Sequence, residues 1–415
     1  MKEKVRKIWK KSKIIRPVYW WLYRLFVSNF IRRIARNRRL DKTLPALYLK
    51  GAKEKIDPRK VVFVELRHKE LTNSFQELYK VLEADSRYDV HVHFLEHKRI
   101  RHRIYVQRCL EMVKDIADAR CVFLNEASEE ISALPMRKET VVMQTWHACG
   151  AFKRFGSSTL EMKFGPDAKG MKRHPLNRNY THVAVSSPEV VWAYEEAMEL
   201  KDSPGVVKPV GISRTDIFFR KDEKEKAFER FYGQFPAAKG KKVILYAPTF
   251  RGTVTNAEVP KAFDLNQFYE GLGDSYVVVV KQHPHVKELP PVPKKLAGSF
   301  ALDVTNTMSI EDLLFVSDIV ISDYSSLVFE YSLFNRPMLF YAFDLEDYDD
   351  WRGFYYPYEE MTPGPVCRTN EEMIAWIRAL PESFDQEQVT AFREKFMSAC
   401  DGHATERILQ LCHLD

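Results

Sequence analysis

The chain has 415 residues, 45% of them hydrophobic, and a formal net charge of +7. Its length exceeds what one core usually supports and predicts two domains of about 150–200 residues plus an extension, while the apolar content excludes a disordered chain. Residues 1–42 hold fifteen Lys or Arg against Glu3 and Asp41, a net +13 that leaves −6 for the rest, so the basicity belongs to the amino-terminal tail and not to the body.

In that tail, residues 1–50, cations interleave with Trp9, Tyr19, Trp20, Trp21, Tyr23, Phe26 and Phe30. A bilayer span needs about 20 apolar residues, and Arg24 interrupts the best stretch. No small-residue cleavage site follows, so no signal peptide is expected. Rings at headgroup depth and cations on lipid phosphates suit a helix lying on an anionic membrane surface. A nucleic-acid-binding arm and a docked helix with one solvated face are the competing readings; the number of bulky aromatics favours lipid, and no nucleic-acid partner is expected.

Beyond the tail, apolar runs alternate with helical patterns. Val61–Leu66, Tyr88–Leu95, Cys121–Leu124, Val141–Thr145 and His182–Ser186 read as strands; Phe75–Ala84, Tyr105–Ala117 and Pro188–Met198 read as helices. The charge-dense segment Phe218–Lys242 marks the boundary between a domain at 51–220 and one at 221–390. In the second, Val243–Ala247, Tyr276–Lys281, Asp318–Ser322 and Met338–Tyr341 are the strands. A last helix, Gln386–Leu411, runs into a terminal segment at 391–415 that is placed to cross back. The alternation predicts an α/β protein of two Rossmann-like domains facing a central cleft, where ligands bind at the carboxyl ends of parallel strands.

Six scattered cysteines form no CxxC pair and read as reduced thiols. His91 and His93 share a strand face, but no further ligands accompany them, so a histidine pair without metal is expected.

The candidate site residues sit at strand ends. His147 follows strand Val141–Thr145, where a neutral imidazole can take a proton from an attacking hydroxyl, with Lys153 and Arg154 near enough to hold anionic oxygens. A plain turn histidine is the alternative. His283 ends strand Tyr276–Lys281 and is held extended by Pro284, aimed to stabilise charge on a transferring phosphoryl group. Pro248, Thr249 and Arg251 form a loop in which the guanidinium could take phosphate or simply face solvent. Arg214, in Gly211-Ile212-Ser213-Arg214-Thr215-Asp216, offers a second anion-holding loop or a turn.

Asp318–Tyr341 reads as strand, turn at Asp323-Tyr324, helix and strand, with Asp323 counted, like Pro248 and Thr249, among the donor-binding candidates. Ser325 and Ser326 at the helix start suit a pyrophosphate, or act only as caps. Glu330, one turn further, is within reach of a ribose. Arg352, in Trp351-Arg352-Gly353-Phe354-Tyr355, lies in a loop expected to cover the ligand.

These strings, QTWHACGAFKRFG, VGISRTD, ILYAPTFRG, VKQHPH, DIVISDYSSLVFEYSLFNRPMLFY, the YDDWRGFYY to PGPV run and DGHATERI, together resemble the CDP-glycerol glycerophosphotransferases of teichoic acid synthesis and follow that family's order over most of residues 60–408. The resemblance implies a GT-B-like fold and peripheral attachment to the cytoplasmic face of the membrane. It also implies metal-independent, cofactor-free transfer of glycerol phosphate from CDP-glycerol to an undecaprenyl-diphosphate-linked saccharide, with release of CMP. His147 takes the role of base and His283 that of the histidine at the donor phosphate. Ser325 and Ser326 would bind pyrophosphate, with Arg251 and Arg352 nearby. Many polymerising members carry WHG with T-P-like residues, whereas this chain has Trp146-His147-Ala148-Cys149-Gly150, closer to single-transfer and primase-like members. CDP-ribitol is the alternative donor. A GT-B enzyme using nucleotide sugars and a membrane-surface protein that only holds a nucleotide are the competing functions; a homo-oligomer is compatible with all of them.

Overall fold

The computed structural model describes residues 29–160, 162, 168–253, 256–346, 348 and 353–415. The aromatic-basic residues before Asn29, and Arg352, lie outside these.

The β-branched runs form two six-stranded parallel sheets, each sequestered between helices as parallel sheets require. The first comprises β1 (Asp57–Glu65), β2 (Asp89–Phe94), β3 (Ala119–Leu124), β4 (Val141–Gln144), β5 (His182–Ala184) and β6 (Val207–Lys208), in the order β2-β1-β3-β4-β5-β6. The second domain holds β7 (Lys242–Tyr246), a small antiparallel hairpin of β8 (Arg251–Thr253) and β9 (Asn256–Glu258), β10 (Tyr276–Val280), β11 (Ala301–Asp303), β12 (Ile319–Ser322), β13 (Met338–Tyr341) and β14 (Val366–Cys367). Its large sheet runs β11-β10-β7-β12-β13-β14. That is the 3-2-1-4-5-6 order of a doubly wound dinucleotide-binding sheet. The expected fold class is the one observed.

Both sheets reverse direction of winding at one place, between β1 and β3 in the first and between β7 and β12 in the second. Connections diverge there and leave a crevice at the strands' carboxyl ends. Glu65, Leu66 and Asn125 occupy the first crevice; Pro248, Thr249 and Asp323 occupy the second.

Two expectations change. The last helix is two, Gln386–Phe396 and Ala404–Leu411. Gly402 between them has φ +93°, and a β-carbon there would stand 3.0 Å from Phe219, so the chain turns where a continuous helix cannot. The second of these helices lies on the first sheet, where Ile408, Leu409, Cys412 and Leu414 pack with Val61 and Phe63. The charged segment at the boundary is a packed helix, Lys221–Gln234, in which Ala227 and Phe231 form a buried stripe and Arg230 grips Asp312 at 2.5 and 2.8 Å. Strands β6, β11 and β14 went unpredicted because two or three residues carry no periodicity.

The described part of the tail is helical from Asn29 to Gly51, with a π-type stretch at Arg39–Thr43. Arg36 pairs with Glu129, Arg39 pairs with Glu130 at 3.3 Å, and Leu40, Leu44 and Tyr48 are buried, so this end is docked on the first domain. Phe30, Ile31 and Ile34 remain 51–55% exposed. Among the described residues no helix is long and apolar enough to cross a membrane.

Candidate active site

The chain leaves β4 in an unusual conformation. Trp146 has φ +56°, a left-handed setting that costs a bulky residue about 1–3 kcal/mol and needs support. That support comes from Gln144, whose Oε1 accepts the Trp146 N–H at 3.0 Å while its amide donates to Glu126 O and Tyr180 Oη, each at 3.1 Å. The turn presents His147 at the surface of the crevice. Its Nδ1 lies 3.0 Å from the backbone oxygen of Asn125. A carbonyl only accepts, so the proton sits on Nδ1 and Nε2 carries the lone pair. Desolvation by the surrounding protein, with the charges of Arg214 and Arg67, brings the His147 pKa down to about 4 although one side of the ring is open to solvent. The imidazole is therefore a neutral, oriented base at physiological pH.

His283 is set the opposite way. The backbone N–H of His285 donates to its Nδ1 at 3.2 Å, so a neutral ring carries its proton on Nε2. Phe250 and His285 flank it, with ring centroids at 4.8 and 4.7 Å. Arg67, just past the carboxyl end of β1, carries a positive charge that disfavours the protonated forms of both His147 and His285. Arg67 itself holds Glu126 at 2.7 Å.

At the second crevice, Asp323 is buried and organises the loop after β7. It accepts from the Thr249 N–H at 2.8 Å, from Thr249 Oγ1 at 3.0 Å and from Arg251 Nη1 at 2.9 Å. Arg251 also forms a two-point pair with Asp344, Nε–Oδ2 2.5 Å and Nη2–Oδ1 2.9 Å, and lies over the rings of Tyr324, Phe343 and Tyr348. Burial works against its charge, but the two carboxylates outweigh it and raise its pKa. The guanidinium expected to face phosphate or solvent is thus committed to two aspartates, because Asp323 and Asp344 reach it from β12 and β13. Buried Pro248 fixes the exit from β7.

Glu330 and Arg214, expected at a ribose and at an anion, meet each other instead at 2.7 Å across the domain boundary, both nearly buried. Burial raises the Glu330 pKa to about 7 against the pull of Arg214. A pair so enclosed satisfies each charge with the other. Ser325 and Ser326 remain half-buried at the strand end; Ser325 Oγ accepts the Leu327 N–H at 3.3 Å, and the helix beyond, Leu327–Ser332, is short. Ser326 is the N-cap of that helix but its side chain makes no capping bond, and the Ser325 contact is a local turn, so both hydroxyls stand as candidate contacts.

Lys153 crosses to the second domain and donates to Tyr348 Oη at 3.1 Å. Beside it, Arg154 N–H donates to Gly353 O at 3.1 Å and Tyr355 N–H to Phe152 O at 3.2 Å, so the covering segment pairs with the loop that follows His147. Arg154 itself reaches Glu196 at 3.1 Å. His91 and His93 both turn to Asp115, at 2.7 and 2.8 Å, and among the described residues no group of three or more His, Cys, Asp or Glu is placed to hold a metal ion. The six cysteines are free and buried. Sequence reading missed Glu65, Arg67 and Asn125; all three stand at the ends of β1 and β3, where the strand-end rule that flagged His147 applies equally.

Two doubly wound domains, joined across their boundary by Arg214–Glu330 and Lys153–Tyr348, form a GT-B-like architecture. Residues 47–414 match the family of CDP-glycerol:poly(glycerophosphate) glycerophosphotransferases, and the chain belongs to that family. It is 35% identical over 353 residues to the teichoic acid ribitol-phosphate primase of Bacillus spizizenii, covering 84% of this chain and 89% of that one. Against the teichoic acid glycerol-phosphate primase of Bacillus subtilis it is 30% identical over 281 residues, 67% of this chain and 69% of the primase. It spans 56% of the length of the poly(ribitol-phosphate) polymerase of Bacillus spizizenii, at 36% identity. Among solved structures, the wall teichoic acid polymerase TagF superposes with a TM-score of 0.73 at 23% identity over 93% of this chain and 97% of that one, a likeness of fold.

Proposed function

We propose that this protein transfers a polyol phosphate, glycerol phosphate in the first instance, from its CDP conjugate to a hydroxyl of a lipid-linked saccharide, releasing CMP in the synthesis of a teichoic acid or related wall polymer. The observation that carries the reading is the pairing of tautomers: His147 offers a lone pair at Nε2 and His283 an N–H. The lone pair takes the proton of the acceptor hydroxyl as its oxygen attacks the β-phosphorus. The bond from that phosphorus to the bridging oxygen breaks, and the oxygen leaves with CMP. The N–H donates to the phosphoryl oxygens as charge gathers on them. Ser325 and Ser326 would sit under the diphosphate, with Lys153 at the acceptor side, and the Arg251–Asp323–Thr249 network would hold the loop rigid rather than bind phosphate itself.

CDP-ribitol is the second reading, favoured by the 35% identity to a ribitol-phosphate primase. The Ala148-Cys149-Gly150 variant of the loop favours single transfer over processive polymerisation. The exposed Phe30, Ile31 and Ile34 beside Arg32, Arg33 and Arg38 support attachment to an anionic membrane, at its cytoplasmic face where CDP donors reside.

The test is a donor screen with a lipid-linked disaccharide acceptor, following CMP by chromatography and product by mass. One CDP-polyol should yield CMP and an acceptor heavier by one polyol phosphate. Turnover of a UDP-sugar with no CMP from either CDP-polyol would make the protein an ordinary glycosyltransferase, and nucleotide binding without any transfer would make it a binding protein.

A further inference from the structure

We propose that Glu65 is a positioning residue for His147, acting through Asn125 to fix which ring nitrogen is protonated. The chemical use of that tautomer rests on the proposed transfer; the positioning itself does not. Glu65 is the last residue of β1 and is 0% exposed. A carboxylate at that depth must be fully hydrogen-bonded. Its Oε1 accepts the Thr72 N–H at 2.7 Å and the Thr72 hydroxyl at 2.6 Å, and its Oε2 accepts from Asn125 Nδ2 at 3.1 Å. The Thr72 hydroxyl, having given its proton to Glu65, accepts the second Asn125 amide hydrogen at 2.9 Å.

Both hydrogens of the Asn125 amide are thereby used, and its orientation is forced, since a flip would set its oxygen against a carboxylate. Asn125 Oδ1 is buried and finds no partner among the described residues, so the side chain is anchored from one end alone. The backbone oxygen of this same residue receives the His147 Nδ1–H. A buried negative charge, a threonine hydroxyl and an asparagine amide thus end at the ring nitrogen opposite the one that faces the cleft. The arrangement also explains why a carbonyl, and not a carboxylate, touches the ring. It orients the imidazole without the strong stabilisation of the cation that a direct carboxylate contact would bring, while Arg67 and Arg214 oppose that cation.

The experiment is 15N NMR of protein labelled at histidine, with the His147 signals assigned by their loss in His147→Ala. The full-length protein should show Nδ1 protonated and Nε2 bare. In Glu65→Gln the terminal NH2 must face either the Asn125 NH2 or the Thr72 N–H, either of which breaks the network that anchors Asn125, and the His147 signals should move toward the Nε2–H form. Asn125→Ala keeps the carbonyl but removes its anchor; it should shift them the same way and serves if Glu65→Gln does not fold. In turnover, kcat should fall about 10-fold or more with KM for the CDP-polyol unchanged, the scale of a slightly misplaced catalytic group. In a His147→Ala background Glu65→Gln should cost nothing further. Unchanged His147 signals in a folded variant, or a loss that persists in full without His147, overturns the proposal. A wild-type protein that transfers no polyol phosphate would instead sink the reaction, and the NMR result would still decide the positioning.

Discussion

Gly150 and Phe329 are so close that a β-carbon at position 150 would stand 2.4 Å from the ring. Gly150 belongs to the loop carrying His147, and Phe329 to the short helix after Ser325 and Ser326, so the two halves of the candidate site are pressed together at this point. Gly150 also has φ +62°, where a side chain costs about 1–2 kcal/mol on its own. Gly150→Ala should therefore lower the thermal midpoint and reduce kcat at least 10-fold by pushing the His147 loop away. Phe329→Leu, which opens space, should recover part of the rate. An unshifted midpoint in Gly150→Ala would show that the contact relaxes freely.

His147→Ala and His283→Ala should each lower kcat about 100-fold or more, the usual scale for a positioned acid or base. The two should differ in donor affinity: His283 would touch the phosphoryl group and its loss should weaken CDP-polyol binding, whereas loss of His147 should leave it intact. Calorimetric titration of each variant with the donor separates them, and a near-normal rate in either rejects its role.

The pH dependence follows from the direction of the His147 shift. Because desolvation brings its pKa to about 4, a rate that needs the free base should stay level as pH falls through 6.5 and decline only toward 4. Between those values the unfolded chain binds a proton that the native ring refuses, so the group's contribution to stability is lost as pH falls. Denaturant midpoints at several pH values, compared with His147→Ala, should show that slope vanish. A kcat profile that halves near pH 6.5 would contradict the depressed value.

Arg214 and Glu330 form the buried pair between domains, and breaking it from one side strands the other charge. Glu330→Ala leaves the Arg214 guanidinium unpaired and should cost about 3–5 kcal/mol; Arg214→Ala should cost less, because Glu330 then takes up a proton, and the double change to Met and Leu should cost least. Burial raises the Glu330 pKa to about 7, so its sign is opposite to that of His147. Its contribution is complete below about 4.5 and is lost as pH rises through 7. Chemical denaturation of the three variants at pH 5 and 8 measures both effects.

How much of this could be read from the chain alone depends on range. The sheets were legible because β-branched runs such as Tyr276–Val280 are local, and His147 and His283 were singled out because each directly follows such a run. The settings of Arg251 and Glu330 were not. Asp344 lies 93 residues from Arg251, and Arg214 comes from the other domain to meet Glu330; only packing decides that these cations and carboxylates satisfy one another. Glu65 was invisible for the converse reason: within the apolar run of β1 its carboxylate has no local partner except Thr72, and its link to Asn125 spans two strands. The break in the last helix at Gly402 was present in the sequence, but a lone glycine in a helical pattern carries weak weight until its contact with Phe219 is known.

The helix Asn29–Arg38 makes the membrane reading testable without touching the cleft. Phe30, Ile31 and Ile34 are exposed on it, and Arg33 lies over the Phe30 ring at 5.8 Å. Arg36 is spent on Glu129, so within this helix Arg32, Arg33 and Arg38 can face lipid, each worth about 1 kcal/mol at an anionic surface. Replacing Phe30, Ile31 and Ile34 together by Ser should weaken sedimentation with phosphatidylglycerol vesicles several-fold, and raised salt should weaken what remains, since screening acts on the arginines. Turnover of a soluble acceptor analogue should be unchanged, because the docked segment from Leu40 to Tyr48 is left whole. Equal vesicle binding by the variant and the parent would move the attachment site off this helix.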